Sequence, residues 1–180
     1  MRFLCAVFMI IQCEQPSLKY VPPGGPCPDA DQPEVMDLWI DQDCPDEVME
    51  ATLDAVDTLN EFGQDFGCVE LAEVIGTIEI TGSLPRPGTL VCKNEKNDLN
   101  CRGRSYSKWK YVDLNVWNWR LDDTQRNEGT VLHELTHMVL EVHGHIPDRN
   151  SLMNAKSIGV ARYTQKDADF ICDVGNLTCR

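Results

Sequence analysis

Positive charge is scarce in this chain, and histidine is scarcer still. Lys and Arg total 16 against 29 Asp and Glu, leaving a formal net charge of −13 over 180 residues. That balance argues against a nucleic-acid backbone or an anionic membrane surface as partner. No apolar run approaches the roughly twenty residues needed to cross a hydrocarbon core, so no transmembrane span is expected. Other signatures are missing as well: there is no Gly-rich phosphate loop, no GxSxG elbow, no CxxC pair of the zinc-ribbon or redox kind, and no internal repeat. These absences set aside nucleotide, serine-hydrolase and thioredoxin-like chemistry. The length and the 42% hydrophobic content fit one domain with its own core.

Cysteine, by contrast, is plentiful. The chain holds 9, spaced irregularly, and begins with "MRFLCAVFMIIQC". One basic residue followed by the apolar run Phe3 to Ile11 is too short to span a bilayer and reads as the core of an export signal, residues 1–13. Secretion to an extracellular or periplasmic space is expected, and disulfides with it. The run ends at Cys13 in a degraded lipoprotein cleavage box, which makes Cys13 a candidate point of lipid anchorage. The two local candidates for a bridge are Cys92 with Cys101, closing the polar loop "KNEKNDLN", and Cys172 with Cys179. Residues 14–33 are rich in Pro and Gly and form a tail or linker, and residues 34–180 form the domain proper.

Within that domain, Glu34 to Ile40 reads as a strand. A helix follows, with Pro45 at its first position, Asp46 and Glu47 against its dipole, and apolar residues at three-to-four spacing from Val48 to Phe62 until Gly63 ends it. "EVIGTIEIT", "GTLVC" and "YVDLNVWNW" are strand candidates, and Thr164 with Asp167 marks the start of a final helix.

All four histidines fall in "HELTHMVLEVHGH", residues 133–145. The segment behaves as a helix through Leu140, with Leu132, Leu135, Val139 and Val142 able to face inward. His133 and His137 then stand one turn apart on one face, the spacing two imidazoles need to share a metal ion. Glu134 lies between them, placed to reach a water on that metal rather than the metal itself. A zinc-bound water has a pKa near 7, and a carboxylate in that place can serve as general base when it attacks a carbonyl.

HExxH, followed by further histidines and by "SLMN" with Met153, resembles the metzincin clan of zinc endopeptidases, whose pattern is HExxHxxGxxH with a later Met-turn. "GHIPDRNSLM" is similar to the corresponding stretch of small matrix-metalloprotease-like catalytic domains, and the element order matches from about Glu34 to Val174. The resemblance implies an α+β zincin fold: a twisted mixed sheet packed on an N-terminal helix and the zinc-binding helix, with a C-terminal helix. It implies one catalytic Zn2+ held by His133 and His137, Glu134 as general base, Met153 as the apolar floor of the site, and peptide or protein as substrate, in a protein expected to be monomeric. The family glycine is Leu140 here. Two positions compete for third ligand: His143 keeps the family's distance from the second histidine, whereas His145 keeps the short distance to Met153. The stiffer constraint is reach from His137, which points to His143.

Two functions of different classes fit this reading. One is a secreted zinc endopeptidase, and the other a metal- or peptide-binding module on the same fold without turnover. Glu134 favours the first, because a binding module needs no general base. Cys27 sits upstream as the cysteine switch of matrix metalloproteases does, although its flanking residues match poorly and a disulfide is the plainer reading. Asn176 opens a glycosylation sequon.

Overall fold

The computed structural model describes residues 34–66, 68, 70–96, 102–119, 123–156 and 160–174. The export signal, Cys13, Cys27 and Asn176 lie outside them. The described chain forms strand β1 (Met36–Asp41), helix α1 (Asp46–Asp65), strands β2 (Ala72–Ile78), β3 (Thr89–Lys93), β4 (Gly103–Tyr106) and β5 (Tyr111–Asn115), a 3-10 turn at Val116–Asn118, helix α2 (Thr124–Val139) and helix α3 (Gln165–Val174). This is the expected α+β architecture. The five strands lie in the order β2-β1-β3-β5-β4, parallel except for β4, which runs antiparallel to β5.

Strand alternation and helix periodicity converge on one apolar core. Leu38 and Ile40 of β1, Leu90 of β3 and Val112 and Leu114 of β5 meet Val48, Ala55, Leu59 and Phe62 of α1 and Val131, Leu132, Leu135 and Met138 of α2. α1 packs against β2 and α2, and α2 against β4 and β5. Asn60 ties α1 to the start of β2: its amide donates to the Ala72 carbonyl (2.9 Å) and its oxygen accepts from the Leu71 (2.8 Å) and Ala72 (3.1 Å) amides.

Several local expectations need adjustment. Pro45 is the N-cap of α1 rather than its first helical residue, and Gly63 lies inside the helix. A Cβ at Gly63 would sit 2.7 Å from Cδ1 of Leu71, so glycine is needed there for close packing, not for termination. Cys92 bonds Cys44, with Cα atoms 5.2 Å apart, and not Cys101. The parallel pairing of β1 with β3 sets the end of β1 beside β3, which outweighs nearness in sequence. Cys68 and Cys172 are disulfide-bonded too, while Cys101 and Cys179 lie outside the described residues. No helix among the described residues is long and apolar enough to cross a membrane.

Candidate metal centre

The C-terminal half of α2 carries His133, Glu134 and His137. Past the helix Leu140 keeps an ordinary conformation (φ −92°), and Glu141 takes the left-handed one at φ 52°. The chain thus reverses one residue later than the family glycine would reverse it, and Gly144, at φ 100°, bends it again. Lys110 pairs with Glu141 at 3.0 Å across the base of this turn.

The late reversal brings His145 into line with the two helical histidines. The Nε2 atoms of His133 and His137 are 3.2 Å apart, and that of His145 lies 3.2 Å from the first and 3.3 Å from the second. Among the described residues, His133, His137 and His145 form a group of side chains that could hold a metal ion, and His143 is not part of it. This departs from the preference for His143: keeping the family's count from His137 would require the turn at Leu140, and the turn is at Glu141. His143 is exposed and lines the cleft nearby.

The donor set fits zinc on its chemistry and its spacing. Nitrogens about 2.1 Å from one tetrahedral ion lie about 3.4 Å from each other, close to the separations here. The far sides of two rings are anchored. His133 Nδ1 meets the Leu152 carbonyl at 2.7 Å, and His137 Nδ1 meets the Val142 carbonyl at 2.7 Å. A carbonyl only accepts, so each Nδ1 carries the proton and each Nε2 presents a lone pair to its neighbour. Two lone pairs facing at that distance repel unless a cation lies among them. Burial disfavours the imidazolium as well, holding His133 down at about 3 and lowering His137 and His145.

Glu134 is buried beside this group. Burial pushes its carboxyl up to about 8, opposed by the Ser105 backbone amide and the Arg104 charge. Ser105 and Arg104 belong to β4, a polar strand that hydrophobic alternation does not reveal, and Gly103 opens it. A Cβ on Gly103 would lie 2.6 Å from Cγ and 2.9 Å from Oε1 of Glu134, so only glycine lets the edge strand approach so closely. Gly103 is the residue that the sequence reading missed, and its signal was slight: one glycine in a stretch with no apolar pattern.

Below the histidines, Leu152 and Met153 are fully buried. Asp167, also fully buried, organises that turn. Its carboxylate accepts from the Ser151 hydroxyl, from the amides of Leu152 (3.2 Å) and Met153 (2.9 Å), and from the amide (2.8 Å) and hydroxyl (2.7 Å) of Thr164. Foreseen as a helix cap, Asp167 therefore also fixes the carbonyl that orients His133. From His145 the chain returns through a hydrogen bond from the Ile146 amide to the Met153 carbonyl (2.9 Å).

The group opens into a cleft of about 1050 Å³, walled by β4, α2 and the segment from Val142 to Lys156. No protein-family model matches the chain, and no curated protein matches it in sequence. Among solved structures it is similar to the archaemetzincin of Methanopyrus kandleri, at 16% identity and a TM-score of 0.54, over 79% of this chain and 96% of that one. It is also similar to the archaemetzincin of Archaeoglobus fulgidus, complexed with malonate, at 14% identity and a TM-score of 0.51, over 75% and 99%. The chain has the zincin-like fold of these archaemetzincins.

Proposed function

We propose that this protein is a secreted zinc-dependent endopeptidase, with His133, His137 and His145 as the metal ligands and Glu134 as the general base. The observation that carries the reading is the convergence of three imidazole Nε2 atoms at 3.2–3.3 Å with a buried carboxylate on the same helix. Three neutral nitrogens with room for a fourth ligand is the catalytic rather than the structural class of zinc site. Zinc held there supplies Lewis acidity, lowering the pKa of a water toward about 7.

The chain's own residues divide the remaining work. The Leu152 and Val142 carbonyls keep two imidazoles in the tautomer that faces the site. A cation held by the histidines would favour the ionised form of Glu134 that burial alone disfavours, and the carboxylate would then take a proton from the attacking water and deliver it to the departing amine, the net change being addition of water across one peptide bond. The Ser105 amide holds that carboxylate against β4, and Gly103 leaves the room for it to approach. The exposed edge of β4 offers backbone groups to an extended peptide, which would pair with it as a further strand. Met153 supplies the apolar floor.

The metal-binding module without turnover is the weaker reading. Burying Glu134 is costly, and a module kept for binding gains nothing from it. Export is supported by the four described cysteines, Cys44, Cys68, Cys92 and Cys172, all of which are disulfide-bonded. In the same proposal the signal is removed near Cys13, the protein acts as a monomer, and the spacing from His145 to Met153 is of the matrix-metalloprotease kind.

A digest of a denatured protein mixture tests the activity. The zinc-loaded protein should cut it, chelator should stop the cutting, and Glu134→Ala should keep about one zinc while losing turnover by several orders of magnitude. Undiminished cleavage by that variant would remove Glu134 from the mechanism. A wild-type protein that binds zinc yet cuts nothing would leave the binding module standing.

A further inference from the structure

The charge lining the cleft runs against the charge of the chain. The whole sequence has nearly twice as many acids as cations, 29 to 16. The cleft wall carries Arg102, Arg104, Arg126 and Lys156, and Glu134 is its only carboxylate among the described residues. The cations occupy both sides: Arg102 and Arg104 at β4, Arg126 on the first turn of α2, and Lys156 on the segment after Met153. Arg126 shares its charge with Asp123 at 3.9 Å, a loose pair whose acid does not line the cleft. Its Nε is buried with no hydrogen-bond partner among the described residues. Arg102 is spent partly on structure, reaching Arg126 O, Thr130 Oγ1 and Asn127 Oδ1 at 3.3–3.4 Å. Arg104 and Lys156 are exposed.

We propose that the cleft selects acidic peptides, in which Asp or Glu side chains flanking the bond to be cut meet Arg104 and Lys156. The inference rests on the peptidase reading and specifies its substrate class. A concave wall of one sign focuses its field, raising the local concentration of oppositely charged ligands, while the acidic remainder of the surface repels them elsewhere and leaves the cleft as their landing place. Guanidinium groups match carboxylates in geometry as well as charge. Nucleic acid, the other polyanion, fits less well, because among the described residues no Phe, Tyr or Trp lines the cleft to stack on bases.

The test uses zinc-loaded Glu134→Gln protein, so that binding is read without turnover, and three fluorescent decapeptides blocked at both ends. Their flanking positions are Glu, Ser or Lys in an otherwise identical sequence. The Glu peptide should bind about tenfold more tightly than the Lys peptide at low salt, with the difference shrinking severalfold near 0.5 M salt as screening shortens the field. Adding Arg104→Ala and Lys156→Ala should reduce that preference about fivefold. A free-carboxylate version of the Ser peptide separates recognition of side chains from recognition of a C-terminus, and binding restricted to that version would overturn the assignment. Equal affinity, preference for Lys, or tighter binding of a single-stranded oligonucleotide of the same charge would also overturn it. If the double substitution unfolds the protein, the salt dependence of Glu134→Gln alone decides. Wild-type protein then separates the two claims. Cleavage of all three peptides at equal rates would refute the acidic preference and keep the peptidase, whereas tight acidic binding with no cleavage of any peptide would do the reverse.

Discussion

The third histidine is decided by one backbone angle. With Glu141 in the left-handed conformation, His145 closes the triad and His143 stands outside it. His145→Ala is therefore expected to lose its zinc on dialysis against a mild chelator, and His143→Ala to keep it, as measured by metal content. The opposite pattern would restore the family's spacing and show that the chain turns at Leu140. Gly103 offers a second test at this scale. In Gly103→Ala the added methyl would meet the Glu134 side chain at 2.6 Å, and either the strand or the carboxylate must yield. A displacement of about 1 Å costs on the order of a hundredfold in rate, so kcat should fall by about that factor while the zinc content stays near one. Unchanged kcat would mean that Glu134 does its work without support from β4.

Among the elements, those with strong internal periodicity were legible and the one without it was not. α1 and α2 announce themselves through apolar residues at three-to-four spacing, and β1, β3 and β5 through alternation. β4 is "GRSY", a short polar edge strand whose stability comes from pairing with β5 rather than from its own side chains, so no pattern marks it. His133, Glu134 and His137 could be read because helix geometry fixes their relation. The position of His145 depends on a loop, and a non-glycine residue in the left-handed region gives no warning. The packing of α1 on α2 also contains an acid that sequence would not single out. Glu128 on α2 is half-buried, and burial and then the Asp54 charge raise its pKa above the ordinary 4.5, with the Thr58 hydroxyl opposing. The native state then holds more protons than the unfolded chain between about pH 4.5 and the raised value. Stability falls as pH rises through that window, and the penalty is complete above it. Glu128→Gln should raise Tm slightly at pH 7, the effect being kept small by solvent screening of a half-exposed carboxylate, with the gain vanishing toward pH 4. A Tm difference constant across this range would place the effect elsewhere.

Across the whole molecule, metal occupancy and folding are linked. Zinc at a hundred times its Kd stabilises a fold that alone binds it by about 2.7 kcal/mol, which corresponds to about 5–10 °C in a domain of this size. Chelation should lower Tm by that amount in the wild type and leave His145→Ala unmoved, as followed by circular dichroism. An equal shift in both would mean that the chelator acts at some other ion. The linkage runs through the last helix. Asp167 reaches back to the Leu152 and Met153 amides, and Leu152 orients His133, so the first ligand answers to a residue 34 positions further along the chain. Translation proceeds from the N-terminus, and while the ribosome is still adding α3 the growing chain already carries every histidine but lacks the carboxylate that orients the turn beneath them. The orientation of His133 therefore waits on the docking of α3, and the histidine group is completed late in folding rather than while the chain is being made.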